Sequence, residues 1–191
     1  MASYNTSDFR KGIKVQLDGD PYLMLECNFV KPGKGQALYR TKLKNLIRNT
    51  VIERTYKSGD SLEAADVRDV DMQFLYRDGE NFVFMDPDTF EQPMLTKEQV
   101  GEGAKWLKDG LTCSITFWNE KPIDFQPPNQ LVLKVEYTEP GARGNTATNV
   151  LKPAKLETGA EVAVPIFIET GEYIKVDTRT GEYLERAREP K

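Results

Sequence analysis

Turn-forming residues recur so often along this chain that no regular element can run far. Asp-Gly, Pro-Gly and Ser-Gly pairs, and one pair of prolines, interrupt it about every 8–12 residues. The runs between them are short and alternate apolar with polar side chains, the period-2 pattern of strands with one buried face. That spacing favours small antiparallel barrels. A barrel of this kind needs only about 60 residues, so a chain of 191 accommodates two or three.

Residues 13–30, "IKVQLDGDPYLMLECNFV", read as two strands joined at "DGDP". The chain turns at "PGKG", returns through "QALYRTKLKNL", and continues as strand, turn and strand to "SGDSLEAADV", where the pattern breaks. A second module opens on the hairpin "VDMQFLYRDGENFVFMD". A short helix is expected in "TKEQVGEGAKWLKDG": Thr96 and Gln99 fit a capping box, Val100, Ala104 and Leu107 share a face, and Gly110 suits the stop, with Gly101 and Gly103 working against it. Strands "LTCSITFWNE" and "PIDFQ" lead to "QPPN", whose prolines end pairing. A third module has "QLVLKVEYTE", the Gly/Thr/Asn-rich loop "PGARGNTATN", then "AEVAVPIFIE", "YIKVDT" and "EYLERA". The expected domains are 1–65, 66–128 and 129–191.

Charge divides along the same cuts. The chain carries −4 overall, but +4 in residues 1–65, −7 in 66–128 and −1 in 129–191. Within 31–57, Lys31, Lys34, Arg40, Lys42, Lys44, Arg48, Arg54 and Lys57 face one acid, Glu53. In the strand 38–44 the even positions are Leu38, Arg40, Lys42 and Lys44 and the odd ones Tyr39, Thr41 and Leu43, so the bases share one face. Such a surface faces a polyanion. There is no histidine, which removes His-activated nucleophiles and the commonest neutral metal ligand. Cys27 and Cys113 lie in separate strand-like runs without CxxC spacing and read as buried free thiols. No apolar run approaches the roughly 20 residues of a membrane span, and the first residues lack the apolar core of a signal peptide, so the expected address is the cytoplasm and no membrane partner is expected.

The stretch "KPGKG" is not a phosphate-cradling P-loop, because Lys34 is followed by Gly35 and strand-like residues rather than by Ser/Thr and a helix. Pro32 holds Lys31 extended, and Gly33 and Gly35 leave Lys34 without bulky flanks and free to take positive φ around it. On local pattern a solvated hairpin tip is the simpler reading, and a nucleic-acid or modification role is the alternative. The acid groups Asp66, Asp69, Asp71 and Asp86, Asp88, Glu91 lack EF-hand spacing and read as solvated surface, leaving a carboxylate-pair hydrolase motivated by their number alone. In the third module, "RGNTAT" and "DTRTGEYLER" read as turns, with Arg179, Tyr183 and Arg186 as candidates for stacking on RNA bases and pairing with phosphates.

Taken together and in order, "FVKPGKGQA", "WNEKPIDFQPPN" and "VDTRTGEYLERA" resemble bacterial translation elongation factor P over essentially the whole chain. The resemblance implies an all-β protein of three small barrels, an N-terminal SH3-like (KOW-type) barrel and two OB-folds, L-shaped and tRNA-like in outline. It implies a monomer without cofactor and without catalysis of its own. Such a protein binds the ribosome between the peptidyl and exit tRNA sites and relieves stalling at consecutive prolines. By the same resemblance Lys34 is the tip residue that a lysine-modifying enzyme extends with a β-lysyl group toward the CCA end of peptidyl-tRNA, and Pro32, Gly33 and Gly35 are the loop presenting it. Lys31, Arg40, Lys42 and Lys44 are the expected RNA-facing cations beside it. Tyr183 and Arg186 match positions near the small subunit and the tRNA anticodon region. Asn145 and Thr146 match a messenger-facing loop, where Asn145 and Thr148 depart from the family's usual residues. A general single-stranded RNA-binding OB protein is the alternative.

Overall fold

The computed structural model of the chain describes residues 2–141 and 150–191. Its strands form three sheets. The first holds β1 (Ser3–Asn5), β2 (Lys14–Leu17), β3 (Asp20–Val30), β4 (Leu38–Asn45), β5 (Val51–Lys57) and β6 (Ser61–Ala64), in the order β1-β6-β2-β3-β4-β5. Asp18 and Gly19 both take positive φ (53° and 83°), which makes a two-residue hairpin whose twist matches that of its strands. Pro21, expected in that turn, lies inside β3 opposite Gln16. Between β4 and β5 the buried Asn45 replaces missing backbone partners. Its Oδ1 accepts from the amides of Ile47 (2.8 Å) and Arg48 (2.9 Å), and its Nδ2 donates to Asp20 (2.8 Å).

Phe9, which follows β1, packs edge-on against Tyr56 of β5 with ring centroids 5.5 Å apart. The sheet therefore curls until its two edges share a core, built from Phe9, Ile13, Val15, Tyr22, Met24, Leu43 and Leu62. The stretch "SGDSLEAADV" corrects the sequence reading: Ser61–Ala64 is a strand, held between β1 and β2 with Leu62 inward. Four residues with one large apolar side chain show no readable alternation. β6 and the three-residue β1 exist because each supplies the other's ladder.

The second sheet holds β7 (Val67–Asp78), β8 (Asn81–Met85), β9 (Met94–Leu95), β10 (Thr112–Trp118) and β11 (Lys121–Gln126), in the order β11-β10-β7-β8-β9. The capping box is present: Gln99 N–H donates to Thr96 Oγ1 (3.3 Å) and Thr96 N–H to Gln99 Oε1 (2.8 Å). The helix it starts is only α1 (Lys97–Val100), and residues 101–106 continue as 3₁₀ helix. Gly101 ends α geometry with φ of 60°. Gly103 answers a packing demand, since a Cβ there would sit 2.5 Å from the Phe125 ring. The expected single helix is thus broken at Gly101, while Gly103 is kept small by the Phe125 ring.

The third sheet holds β12 (Gln130–Thr138), β13 (Leu151–Leu156), β14 (Glu161–Pro165), β15 (Tyr173–Asp177) and β16 (Glu182–Ala187), in the order β14-β13-β12-β15-β16. Its edge strands β14 and β16 approach each other, so this sheet also closes on itself. Leu131, Leu133, Val135, Leu156, Val164, Ile174 and Val176 fill the interior together with Trp106 from the 3₁₀ segment. β13, "LKPAKL", escapes the sequence reading because it contains a proline and two lysines. Pro153 pairs opposite Ala163, and Lys152 points inward with its Nζ donating to the Glu139 carbonyl.

By internal contacts the chain forms two compact units, Met1–Val70 with Ile115–Asp124 and Asp71–Ser114 with Phe125–Lys191. Among the described residues no helix is long and apolar enough to cross a membrane. Cys113 is buried, which pushes its thiol up to about 12; Cys27 is half-buried and raised for the same reason.

Candidate functional site

The end of the first barrel that carries residues 31–37 joins β3 to β4, the two longest strands of its sheet. Their ladder runs in register from Met24↔Leu43 to Val30↔Leu38, with one bulge between Met24 and Glu26, so the loop stands on a stiff two-strand base. Residues 31–36 are all exposed. Among the described residues neither Lys31 nor Lys34 has a hydrogen bond or ion pair. The return arm is tied down instead. Gln36 Nε2 donates to the Ser58 carbonyl (2.9 Å), and Ser58 N–H donates to the Ala37 carbonyl (3.0 Å). Local sequence carried no sign of this latch, because its partners are 22 residues apart.

The glycines hold a surprise. Neither Gly33 nor Gly35 adopts positive φ. A Cβ on Gly33 would meet nothing within 4 Å, and one on Gly35 would only touch the Pro32 ring at 3.6 Å. Neither residue therefore answers a demand made inside the fold. Gly33→Ala and Gly35→Ala are expected to be neutral to slightly stabilising, by at most about 1 kcal/mol, since they restrict only the unfolded chain. Thermal melts check this; a loss of more than about 1 kcal/mol would place the need for glycine within the barrel.

Beside the loop, Phe29 is 57% exposed and packs edge-on against Tyr39, centroids 5.1 Å apart. Tyr39 in turn meets Phe9 at 6.2 Å. The basic residues behind the loop occupy the outer face of β4 as the alternation predicts, with Thr41, Leu43 and Asn45 buried opposite. Their charge is less free than the sequence suggests. Acids from outside the segment reach three of the eight cations: Glu26 lies 3.6 Å from Lys42, Asp20 3.4 Å from Arg48 and Asp18 4.0 Å from Arg54. Lys31, Lys34, Arg40, Lys44 and Lys57 remain without an ion pair among the described residues. Each pair has at least one exposed partner open to solvent, so each contributes little to stability.

In the third barrel the candidate residues are partly engaged. Arg186 stacks over Phe167 at 4.9 Å and pairs with Glu172 at 2.8 Å. Tyr183 is half-buried against the core, and desolvation raises its phenol. Asn145 and Thr146 lie outside the described residues. The β15–β16 turn is built on Asp177, which accepts from Arg179 through Nε (3.1 Å), Nη2 (2.8 Å) and its own N–H (2.9 Å). Those bonds, the side-chain ones foremost, hold the Asp177 carboxyl at about 2, below its ordinary 3.8. A depressed carboxylate contributes stability that is present above the unfolded value and lost as pH falls through about 2. Arg179→Ala should move the Asp177 midpoint back toward 3.8 in a carboxyl NMR titration. A midpoint that stays near 2 would show that backbone donors alone hold it.

Among the acids of the second module, Asp86 serves a local turn, its Oδ1 accepting from the amides of Asp88 (2.8 Å) and Thr89 (3.2 Å), while Asp69 accepts from the hydroxyl of Thr116, distant in the chain.

Comparison with known proteins agrees along the chain. Residues 5–62 match the elongation factor P KOW-like domain, residues 67–125 the elongation factor P OB domain, and residues 131–186 the elongation factor P C-terminal domain. Elongation factor P of Rhodopirellula baltica is 58% identical over 186 residues, covering 97% of this chain and 95% of that one. Among solved structures, eukaryotic translation initiation factor 5A from Methanococcus jannaschii shares the fold at a TM-score of 0.50 with 21% identity, over 66% of this chain and 93% of its own. A KOW-like barrel followed by OB barrels, matched from end to end, places this chain in the elongation factor P family of translation elongation factors.

Proposed function

We propose that the chain acts on the ribosome between the peptidyl and exit tRNA sites, where Lys34, extended by a β-lysyl group, orders the CCA end of peptidyl-tRNA and speeds bond formation between consecutive prolines. The observation that carries this is the state of Lys34: exposed, unpaired among the described residues, and flanked by two glycines that nothing inside the fold requires. Proline is the substrate that needs such help. Its secondary amine and locked φ make attacking and accepting groups hard to align. Positioning alone is worth about 1.4 kcal/mol of barrier for each tenfold gain in rate, and the bond-making chemistry stays with the ribosome.

On this reading Lys31, Arg40 and Lys44 face RNA, and an enzyme that adds the β-lysyl group reads the loop around Pro32. The domains are 1–65, 66–128 and 129–191, a division supported by the gaps between family matches at 63–66 and 126–130. Tyr183 and Arg186 are assigned to the small-subunit side, and the protein works as a cytoplasmic monomer. Purified ribosomes translating a message with consecutive prolines test the proposal. Addition of the modified protein should release the stall, and an equal stall with and without it would refute the function. Affinity for free single-stranded RNA comparable to that for ribosomes would favour a general RNA-binding protein instead.

A further inference from the structure

Of the chain's eleven prolines only Pro127 and Pro128 are adjacent, and the function given above leaves that pair without a role. Their place in the fold accounts for one proline and not for two. They lie half-buried between β11, which ends at Gln126, and β12, which begins at Gln130. One proline suffices to end a ladder, because it has no N–H to donate. Pro127 also lies against the 3₁₀ segment, where a Cβ on Gly103 would come within 3.5 Å of its ring. Pro128 contributes its carbonyl, which accepts from the Thr178 hydroxyl (2.6 Å), and the next carbonyl, that of Asn129, accepts from the Thr178 amide (2.9 Å). Every residue has a carbonyl. The hydrogen bonds at this junction therefore set no demand for a ring at 128.

A ring there does have a consequence while the chain is being made. We propose that this protein is a substrate of its own activity: the ribosome making it slows at the bond from Pro127 to Pro128, and modified protein already present speeds that step. The proposal rests on the function given above. In that step the ring nitrogen of prolyl-tRNA attacks the ester carbonyl that joins residues 1–127 to the peptidyl-tRNA. A C–N bond forms and the ester C–O bond breaks; the nitrogen gives up its proton, and the released tRNA 3′ oxygen gains one. Both partners are constrained, since the attacker is a secondary amine and the carbonyl belongs to a residue whose own φ is locked. Synthesis is thereby coupled with positive sign to the modified pool, so a cell poor in modified protein makes more of it slowly. The place of the pair limits the harm of waiting. β1–β11, which build the first two sheets, precede it, and β12–β16, which build the third, follow it. A pause there leaves no sheet half made with an unpaired edge.

Translation of the protein's own message by purified ribosomes and components lacking this protein, with the position of slowed ribosomes read on the message, tests this. Three messages are compared: the parent, Pro128→Ala, and an unrelated reading frame with a run of consecutive prolines. Without added protein, ribosomes should gather on the parent message with the Pro127 codon in the peptidyl site, several-fold more than at the same codon of the Pro128→Ala message. Modified full-length protein should clear that excess and raise the yield of complete chains, and the Lys34→Ala protein should not. The reading is taken before the product folds, so the stability of Pro128→Ala does not enter it. Equal occupancy at that codon on the parent and Pro128→Ala messages would overturn the inference. So would an excess that modified protein leaves in place while it releases the proline-run message, and in either case the function given above stands. If the proline-run message is not released, that function fails and this inference fails with it.

Discussion

Lys34→Ala is expected to remove most of the protein's stimulation of synthesis through consecutive prolines, a loss of at least about tenfold, or about 1.4 kcal/mol of barrier. Its melting temperature should stay within about 2 °C of the parent's, because an exposed substitution without partners changes stability by no more than about 0.5 kcal/mol. The two readings together matter. Loss of activity alone could follow from a collapsed loop, but the loop's fixed points are Gln36, Ser58 and the β3–β4 ladder, none of which involves Lys34. Lys34→Arg sharpens the experiment: it keeps the charge, removes the amine that would be acylated, and should fail as Lys34→Ala does. Full activity in Lys34→Arg would mean that charge, and not the attached group, is what acts.

Trp106→Ala should produce the largest loss of stability of any single substitution considered, about 3–5 kcal/mol. The indole is 2% exposed and packs into a cluster with Leu131, Leu133, Val135, Leu156 and Ile174. It enters from the 3₁₀ segment, outside the strands of the third sheet, and its removal leaves a cavity among their side chains. For a chain of this size each kcal/mol lowers the melting temperature by about 2–4 °C, which puts the expected drop at roughly 6–20 °C. Trp106→Phe keeps part of the volume and should recover part of the loss. A cost below about 1 kcal/mol for the alanine variant would show that the third barrel closes without this side chain.

What could be read from the sequence was whatever has a local cause. Alternation placed β3, β4, β12 and β15, because each is long enough for a buried face to repeat. Thr96 and Gln99 announced their capping box, because its partners are three residues apart. β1, β6 and β9, two to four residues each, depend on partners distant in the chain and left no periodic trace. β13 was hidden by Pro153 and by Lys152, whose inward amine is satisfied by a carbonyl that only the fold supplies. Composition sets the basic segment apart, but the acids that compensate Lys42, Arg48 and Arg54 come from β3 and from the β2–β3 turn. Free and spent charge cannot be told apart until the ladder is known. Of the two properties the sequence offers for the loop glycines, positive φ and lack of bulk beside Lys34, neither residue uses the first, and only the second is left by their geometry.

The most direct test of the central claim is the mass of the peptide spanning Lys34, taken from cells that make the protein naturally and compared between preparations of known activity. The account predicts that this peptide is heavier than its sequence by one lysyl residue, that the addition sits on Lys34, and that release of proline stalls rises with the heavier fraction. A wholly unmodified peptide in a preparation that releases those stalls as fully would contradict it.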